Sequence, residues 1–531
     1  MLPAELLHQP SAWKDRTVLI KIRDSEAGGL YRCVKEESFF HGFIPAIETP
    51  LHLKKIGDFL VRQTVKMEAR SSDRDQFEVS LRLAESEYVK KEDEDWYKEW
   101  HKADRPTPAG DRLINGAVYD TLDDKEKDRY SMVETGIGHY PIKYTRRSRL
   151  YYINGYGFKY TSGLVDYHQR LGLSVSAEEP YAILKKSVKK QKWQFNHEQI
   201  QKHGNLGHGA FGEVFRGTLR LGLLTTEQCA VKTMTSLVTV EENEKLFAEA
   251  KTMQKLKHRN IVRFLGVASN EDPLMIVMEL CEGNSVKKAI EKGDVSLSRK
   301  IKFVHDAALG LQYIHRNNVV HADLAARNTL IGKGDVAKIS DFGLAIIGGS
   351  KRFKSNTNKP YRYLSPLSLR LAVYDLTTDM WAFGLYIYEV FNNAPEKLYP
   401  SHKNVKEVKN FVIQGKRLGI GENVQYPAFL WELTKRCWTC SSAKRIKIDE
   451  LVNIIEAEDY KQNGSKWFRG CRTQWQHVEM ARPIEDGWVA DDRKEEQKEI
   501  AEHIAKLKAT KEKKKKNSLE TKPGDMKMIE N

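Results

Sequence analysis

The chain has 531 residues, of which 40% are hydrophobic, and this is enough for two domains with separate cores. Its formal net charge of +15 comes from lysine clusters without any base-reading motif, so nucleic-acid binding is not expected. The sequence shows no apolar run of membrane-helix length and no signal-peptide core, and its six cysteines are scattered, which together predict a cytoplasmic protein.

The first predicted domain covers residues 38–175 and contains an arginine that suits a phosphate group. Residues 57–61 are predicted to form a central strand, and Arg62 stands at its end. A guanidinium at the end of a buried strand offers a fork of donors that matches a phosphate bidentately. This pattern resembles an SH2 domain, and the resemblance implies that residues 138–142 form its later strand and residues 151–168 its closing strand and helix.

An insertion, residues 86–135, separates two strands of this domain. It is rich in acidic residues and poor in aliphatic ones. Long loops of this kind are either functional or disordered, and the composition here predicts disorder.

A basic linker is predicted over residues 176–197. It contains Tyr181, which has acidic residues before it and Leu184 three positions after it, a pattern typical of a phosphorylated tyrosine. Pro180 favours an extended, accessible chain at this point. Tyr181 is therefore either a phosphorylation site or an unmodified linker tyrosine.

The second predicted domain covers residues 198–457 and begins with a glycine-rich run at residues 206–214. Such a run alone is weak evidence, because dinucleotide sites share it. Residues 213–216 predict a second strand rather than a helix, which favours a strand-turn-strand flap over the phosphates of ATP. Glycine lets the backbone approach phosphates without a Cβ clash.

A lysine and a glutamate are expected to position the nucleotide. Residues 229–232 predict an apolar strand that ends at Lys232, whose ammonium can reach the α- and β-phosphates. Its expected partner is Glu249, in a helix predicted over residues 244–256.

The adenine pocket is predicted along residues 273–281, an apolar run that indicates a buried strand leading to a hinge. Met278 is expected at the back of this pocket. Backbone groups of Glu279 and Cys281 are expected to bond the adenine edge. Because the backbone does the binding, the side chains of this strand can also be part of the core.

The most specific signal is the run from His321 to Asn328, followed by Asp341 at the start of an Asp-Phe-Gly turn. Its order and spacing match the catalytic loop and metal-binding turn of protein kinases. Asp323 is placed to accept the proton of a hydroxyl nucleophile. Asn328 and Asp341 supply oxygen ligands of the kind that Mg²⁺ prefers.

Two positions depart from the usual kinase pattern. Ala322 stands where arginine usually precedes the catalytic aspartate, and residues 344–359 contain no tyrosine. The sequence therefore lacks both the loop tyrosine that is usually phosphorylated and the arginine that usually pairs with its phosphate. Activation is predicted not to use a phosphotyrosine in this loop. Leu367 stands where a glutamate usually pairs with the arginine at the position of Arg445, so Arg445 is expected to lose its partner at a cost in stability.

Taken with their order, these motifs resemble known families. Residues of about 193–457 resemble a tyrosine kinase catalytic domain, and residues 192–198 with 276–280 resemble the Fes/Fer subgroup of non-receptor kinases. The first domain resembles an SH2 domain, a phosphotyrosine reader. The resemblance implies an α+β chain: an SH2 domain with a central antiparallel sheet and flanking helices, followed by a two-lobed protein kinase domain. We expect no counterpart of the F-BAR and coiled-coil region of longer members.

The resemblance also implies a set of site residues, with ATP and Mg²⁺, or Mn²⁺, as cofactors. Catalytic roles fall to Lys232, Glu249, Asp323, Arg327 and Asn328, and metal ligation falls to Asn328 and Asp341. The implied ATP-binding residues are Leu206, Gly207, His208, Gly209, Ala210, Phe211, Gly212, Glu213, Val214, Ala230, Lys232, Met278, Glu279, Cys281 and Leu330. The implied phosphotyrosine-binding residues are Arg62, Thr64 and His139.

Two cations that SH2 domains often use have no equivalent in this sequence. Ala46 stands where a helix arginine is usual, and Pro141 stands where a basic residue is common. Each lost charged hydrogen bond is worth about 1.5–3 kcal/mol. Binding of phosphotyrosine is therefore expected, but with reduced strength.

The terminal segments are predicted to be an extension, residues 1–37, and a basic, largely disordered tail, residues 458–531, with a short helix between residues 495 and 508. The tail and the basic linker are either solvated or dock on an anionic membrane surface, which would place the protein at the periphery of the plasma membrane. The expected partners are tyrosine-phosphorylated proteins and protein tyrosine substrates. Two functions remain open: an active tyrosine kinase, or an SH2 adaptor with a weakly active or inactive pseudokinase domain.

Overall fold

The structure is a computed structural model, and the chain divides by its contacts into two units, Met1–Lys255 with Arg263–Leu280 and Leu256–Val262 with Cys281–Asn531. The predicted insertion at 86–135 lies outside the described residues. The structure describes residues 20–21, 35, 37–64, 76–83, 136–145, 148–209, 212–233, 240–293, 295–352, 360–464, 475, 478–489, 498–502 and 505.

The first unit begins with a seven-stranded sheet in the order β1-β6-β5-β4-β3-β2-β7, antiparallel except at its two edges. Two helices accompany it, α1 at Thr49–His52 and α2 at Thr161–Leu171. The strands are β1 Ile20–Lys21, β2 Asp58–Thr64, β3 Gln76–Arg82, β4 Ile137–Thr145, β5 Leu150–Ile153, β6 Tyr156–Phe158 and β7 Lys186–Ser187.

The core of this sheet forms because apolar side chains face each other across the ladder. Phe59 lies opposite Leu81, and Val61 lies opposite Val79. All four are fully buried. Each contributes roughly 1.5–3 kcal/mol by leaving water, which fixes the register of β2 and β3 and hence the place of Arg62.

Part of the predicted linker packs with the N-terminal sheet. Ala182 and Leu184 are buried in its core, and β7 pairs with β2. Tyr181 does not lie in an extended chain: the N–H of Ala182 donates to the carbonyl of Glu179 at 2.9 Å and closes a tight turn. Pro180 is the second of the four residues of this turn, a position where proline is favoured. Tyr181 is the third residue, and its side chain is 61% exposed.

The second sheet of this unit has six strands in the order β8-β12-β13-β11-β10-β9, with helix α3 at Val240–Lys255 against β12. The predicted strands around the glycine-rich run, Lys232 and Met278 are confirmed. The strands are β8 Gln194–Phe195, β9 Ile200–Gly209, β10 Gly212–Arg220, β11 Thr226–Thr233, β12 Phe264–Ala268 and β13 Met275–Glu279.

One of the contacts between the two sheets of the first unit is made by backbone groups. The N–H of Phe43 donates to the carbonyl of Ser269 at 2.8 Å. Gly42 has a φ of +67°, and a Cβ at this position would lie 2.0 Å from the carbonyl oxygen of Ser269. Only glycine fits, because both the conformation and the space exclude a side chain.

Helix α3 is also held by this segment. The amide nitrogen of Asn243 donates to the carbonyl of Phe43 at 2.6 Å, and Lys251 forms an ion pair with Glu48 at 3.1 Å. Asn243 is buried, so its bond is the stronger constraint. The helix that carries Glu249 is thus attached to the N-terminal domain.

The second unit is mainly helical. Its central helix, Leu376–Phe391, is buried along almost its whole length. The carboxylate of Asp375 caps the N-terminus of this helix by accepting hydrogen bonds from the N–H groups of Thr377 and Thr378 at 2.9 and 3.0 Å. The helices are α4 Val286–Glu291, α5 Leu297–Arg316, α6 Pro366–Leu371, α7 Leu376–Phe391, α8 Val405–Ile413, α9 Ala428–Cys437 and α10 Ile448–Asn463. The short strands are β14 Val319–Val320, β15 Thr329–Gly332, β16 Val336–Ile339, β17 Ile346–Ile347, β18 Ser350–Arg352, β19 Val373–Asp375, β20 Lys416–Arg417 and β21 Trp488–Val489.

Described residues of the predicted tail contact the second unit. β21 pairs with β20, and the backbones of Ile420 and Ile484 exchange hydrogen bonds of 2.8 and 3.1 Å. Glu499, in the helical residues 498–502, accepts hydrogen bonds from the backbone N–H and hydroxyl of Ser442. Composition missed these contacts because backbone pairing does not depend on apolar content. Within the described part of the chain, no helix is both long and apolar enough to cross a membrane.

Candidate active site

The glycine-rich run contributes to the predicted pair of antiparallel strands. β9 and β10 are antiparallel, with Gly207 opposite Val214 and His208 opposite Glu213. Leu206, before the first glycine, is exposed. Gly209 lies opposite Gly212 at the end of the ladder, and the turn between them, Ala210 and Phe211, lies outside the described residues.

Lys232 makes the contact that the sequence predicts. Its Nζ donates to both carboxylate oxygens of Glu249, at 2.8 and 3.0 Å, and both side chains are buried. β11 supplies the lysine and α3 supplies the glutamate. A buried ion pair of this geometry fixes the ammonium in one position, which is what a phosphate-orienting group requires.

The predicted adenine residues lie on neighbouring strands. Ala230 on β11 lies opposite Met278 on β13, and both are buried. The N–H of Glu279 donates to the carbonyl of Arg263 at 2.9 Å, so an adenine contact from Glu279 has to use its carbonyl oxygen. Cys281 and Leu330 belong to the second unit, where both are half-buried.

Asp323 is the centre of the predicted catalytic loop, which lies in the second unit. One carboxylate oxygen accepts a hydrogen bond from Arg327, and the other accepts one from the amide of Asn328 at 2.8 Å. Burial raises the pKa of the Asp323 carboxyl, although the charge of Arg327 opposes this. A carboxylate made more basic by its surroundings is better suited to accept a proton from a hydroxyl group.

Asn328 and Asp341 are suited to magnesium. The amide nitrogen of Asn328 donates to both the carbonyl and the carboxylate of Asp323, each at 2.8 Å, and this turns the amide oxygen towards other ligands. Asp341 adds a carboxylate and has a left-handed φ of +63°. An amide oxygen with a carboxylate is the hard oxygen set that Mg²⁺ binds.

A chain of contacts that the sequence did not reveal holds Arg327. Its guanidinium lies over the ring of Tyr363, 4.7 Å from the ring centroid, and the hydroxyl of Tyr363 donates to Glu389 at 2.6 Å. Glu389 also accepts the N–H of Ala326 at 2.8 Å. The buried carboxylate on α7 therefore ties the catalytic loop to the segment that follows residue 360.

Asp379 fixes the backbone before the catalytic aspartate. Its carboxylate accepts the N–H groups of His321 at 2.7 Å and Ala322 at 2.8 Å, and it lies 3.1 Å from Nε2 of His315. Asp379 is fully buried. Three contacts to one buried carboxylate hold the loop in the left-handed conformation of Ala322, whose φ is +65°.

Comparison with known proteins agrees with this arrangement. Residues 200–455 match the family model of protein tyrosine and serine/threonine kinases. Spermatocyte protein spe-8 of Caenorhabditis elegans is 27% identical over 449 residues, which cover 84% of this chain and 76% of the relative. Fer-related kinase 1 of the same nematode is 27% identical over 418 residues, 79% of this chain and 93% of the relative. Human tyrosine-protein kinase Fer is 29% identical over 420 residues, 78% of this chain and 43% of Fer.

This chain carries a protein-tyrosine kinase domain related to that of Fer.

The kinase domain replaces the usual arginine before the catalytic aspartate with an apolar contact. Ala322 is 6% exposed and lies in a cluster of buried side chains with Val320, Ile346, Leu364 and Tyr374. The same region holds the start of the loop after the Asp-Phe-Gly turn, because β17 pairs with β14 and β18 pairs with β19. Strand pairing and apolar packing thus order this part of the kinase domain.

Arg445 of the kinase domain is not left unpaired, which corrects the expectation drawn from Leu367. Its guanidinium donates to the carbonyls of Thr377 at 2.9 Å, Thr439 at 2.9 Å and Cys440 at 3.3 Å. It also lies over the ring of Trp381. Carbonyl oxygens have replaced the missing carboxylate, so the expected penalty for an unsatisfied buried arginine does not arise.

The predicted phosphotyrosine residues lie on the N-terminal sheet. Arg62 and His139 both contact a residue that the sequence did not single out, Glu78, at 2.7–2.9 Å and 3.0 Å. Thr64 is the last residue of β2. Arg62 also donates to the carbonyl of Ile44, at 3.4 Å. The strand register, which sequence patterns leave open, is what brings Glu78 to Arg62.

Proposed function

We propose that this chain transfers the γ-phosphate of ATP to tyrosine side chains of proteins, and that its N-terminal domain is an SH2 domain that targets the kinase to phosphotyrosine. The observation that carries the first part is the arrangement of Asp323 with Arg327 and Asn328. The proposal combines this catalytic loop with the Lys232–Glu249 pair of the first unit.

Each residue has a specific task in this proposal. Asp323 orients the tyrosine hydroxyl and accepts its proton. Asn328 and Asp341 hold Mg²⁺, which neutralises the phosphate charge when bound. Lys232, fixed by Glu249, orients the α- and β-phosphates.

Selectivity for tyrosine is supported by the form of the loop. Residues 323–328 read Asp-Leu-Ala-Ala-Arg-Asn, the form found in tyrosine kinases, whereas serine/threonine kinases usually carry lysine two residues after the aspartate. Arg327 stacks on Tyr363 and bonds Asp323, so it is held beside the proton acceptor. Pro360 precedes this segment, where the substrate ring rests in the family.

The SH2 assignment is supported by the antiparallel sheet with two helices and by the position of Arg62. The strand β2 carries the Phe-Leu-Val-Arg sequence, and Arg62 shares one face of the sheet with His139 through Glu78. An arginine fork is the group that recognises phosphotyrosine.

The kinase proposal is tested with purified full-length chain, labelled ATP, Mg²⁺ and a random glutamate–tyrosine copolymer. Asp323→Asn should bind ATP normally and lose at least a hundredfold in turnover, because it removes the proton acceptor and keeps the shape. Asp449→Asn is the matched control, since it removes an exposed carboxylate paired with Arg316 in the same unit. Wild-type protein that binds ATP without phosphorylating tyrosine would establish the alternative, an SH2 adaptor with a pseudokinase domain.

We also propose a cytoplasmic location with peripheral contact to anionic membrane. The support is a group of exposed lysines, Lys185, Lys186, Lys189 and Lys192. Sedimentation with vesicles of neutral and of phosphatidylserine-containing lipid tests this. Equal recovery with both vesicles would contradict it.

A further inference from the structure

Arg62 is already bound to a carboxylate of its own domain. The register of β2 and β3 places Arg62 directly opposite Glu78. Nε and Nη2 of Arg62 donate to Oε1 of Glu78 at 2.9 and 2.7 Å. The two side chains are only 12% and 11% exposed, so the ion pair is largely shielded from water.

His139 on β4 is the third member of this cluster. Its Nδ1 lies 3.0 Å from Oε1 of Glu78 and 2.9 Å from the hydroxyl of Ser80. Burial acts to raise the pKa of Glu78, but the charge of Arg62 and the contact with His139 outweigh it and hold the pKa well below its usual range. Glu78 is therefore an anion at neutral pH.

Glu78 occupies one of the two edges of the guanidinium that can hold a phosphate with two donors. Bidentate recognition uses two neighbouring N–H donors of arginine, and Nε with Nη2 is such a pair. Both donors of this pair point at Oε1 of Glu78. A phosphate on this edge has to displace the carboxylate, which leaves Glu78 as a poorly solvated anion beside a ligand of the same sign.

Two of the neighbouring described positions do not offset this repulsion. Ala46 and Pro141, where SH2 domains often carry cations, supply no charge, and Pro141 lies directly opposite Glu78 on β4. Arg62 and Glu78 cancel in charge. The carboxylate of Glu78 and the phosphate of a ligand compete for the same N–H donors of Arg62.

We propose that Glu78 is an internal competitor of phosphotyrosine that sets the affinity of this pocket. Without ligand, Glu78 holds Arg62 and closes the site. A phosphotyrosine ligand takes the Nε–Nη2 edge by moving Glu78 off the guanidinium, and on the Nη1–Nη2 edge it lies close to the same carboxylate charge. This inference rests on the phosphotyrosine-binding role proposed above for Arg62.

The test uses the full-length chain and a peptide library with fixed phosphotyrosine and randomised flanks. Glu78→Gln keeps the shape and removes the charge, and we expect at least tenfold tighter binding than wild type. Glu78→Asp keeps the charge on a side chain one methylene shorter, and we expect an intermediate gain. Asp166→Asn is the matched control, because it removes a carboxylate paired with Arg170 on α2, and it should leave binding unchanged.

The outcomes separate the two proposals. Binding by Glu78→Gln that equals or falls below wild type, with a wild-type signal that Arg62→Ala abolishes, overturns the competitor and leaves the phosphotyrosine site standing. Binding that survives Arg62→Ala, or no binding by wild type and all Glu78 variants, overturns both. Phenyl phosphate should compete with the library more effectively against Glu78→Gln than against wild type, and melting curves confirm that each variant is folded.

Discussion

Replacing Ala322 with arginine restores the residue that kinases usually have at this position, and we predict that it harms this one. Ala322 is 6% exposed and is surrounded by Val320, Ile346, Leu364 and Tyr374. Added volume in such a cluster costs about 1–3 kcal/mol. A buried charge without a partner costs about 3–5 kcal/mol more.

The expected sum for Ala322→Arg is about 4–8 kcal/mol. For a domain of this size, each kcal/mol lowers the melting temperature by about 2–4 °C, so even the lower bound is a loss of about 8–16 °C. Ala322→Leu is the control, since it adds volume without charge and keeps the same left-handed backbone. The stability of this control should fall only by the cost of overpacking, about 1–3 kcal/mol.

Differential scanning fluorimetry gives the stabilities, and initial tyrosine-phosphorylation rates give the activity, before and after preincubation with ATP. The wild type should show no lag, because β17 and β18 order the loop without phosphate. An Ala322→Arg variant as stable as Ala322→Leu would refute the apolar cluster as a constraint. A long lag in the wild type, removed by loop phosphorylation, would refute activation without a loop phosphate.

Three further outcomes are expected. Burial lowers the pKa of His41 to about 4 and of His52 to about 3, below the value of about 6.5 in the unfolded chain, so the unfolded state takes up protons first as pH falls. Stability is therefore full above pH 6.5 and lost towards pH 4, by about 2 kcal/mol per histidine at pH 5, and His52→Phe should flatten this dependence in melting curves. Gly42→Ala should weaken the attachment of the N-terminal domain to β12, seen as faster hydrogen exchange at Phe43, and unchanged exchange would contradict the close contact. Tyr363→Phe should lower kcat several-fold with an unchanged KM for ATP, because it removes only the bond to a buried carboxylate; a change in the KM for ATP alone would speak against this role.

The kinase site was largely predictable because its residues come in fixed order and spacing. Lys232 and Glu249 are separated in sequence, yet the order of motifs identified them as partners, and the contact is present. Their catalytic and nucleotide-binding roles stay predictions. The fold of the kinase region followed from the same motifs, since each implies the strand or loop that carries it.

Contacts that depend on register or on backbone acceptors were not predictable. In the sequence, nothing distinguishes Glu78 from other glutamates until the ladder places it opposite Arg62. Tyr181 was expected in an extended chain, but a backbone hydrogen bond between its neighbours forms a turn. The order of residues 478–489 arises from strand pairing, which composition does not encode.

The carbonyl oxygens around Arg445 change how this region responds to its solution. An arginine held by a carboxylate loses its acceptor when acid protonates the carboxylate. The carbonyls of Thr377, Thr439 and Cys440 do not titrate, so the same guanidinium keeps its acceptors in acid. With Leu367 in place of an acid, acidification does not remove the hydrogen-bond acceptors of Arg445, and it should act first on the histidines of the first unit, His41 and His52.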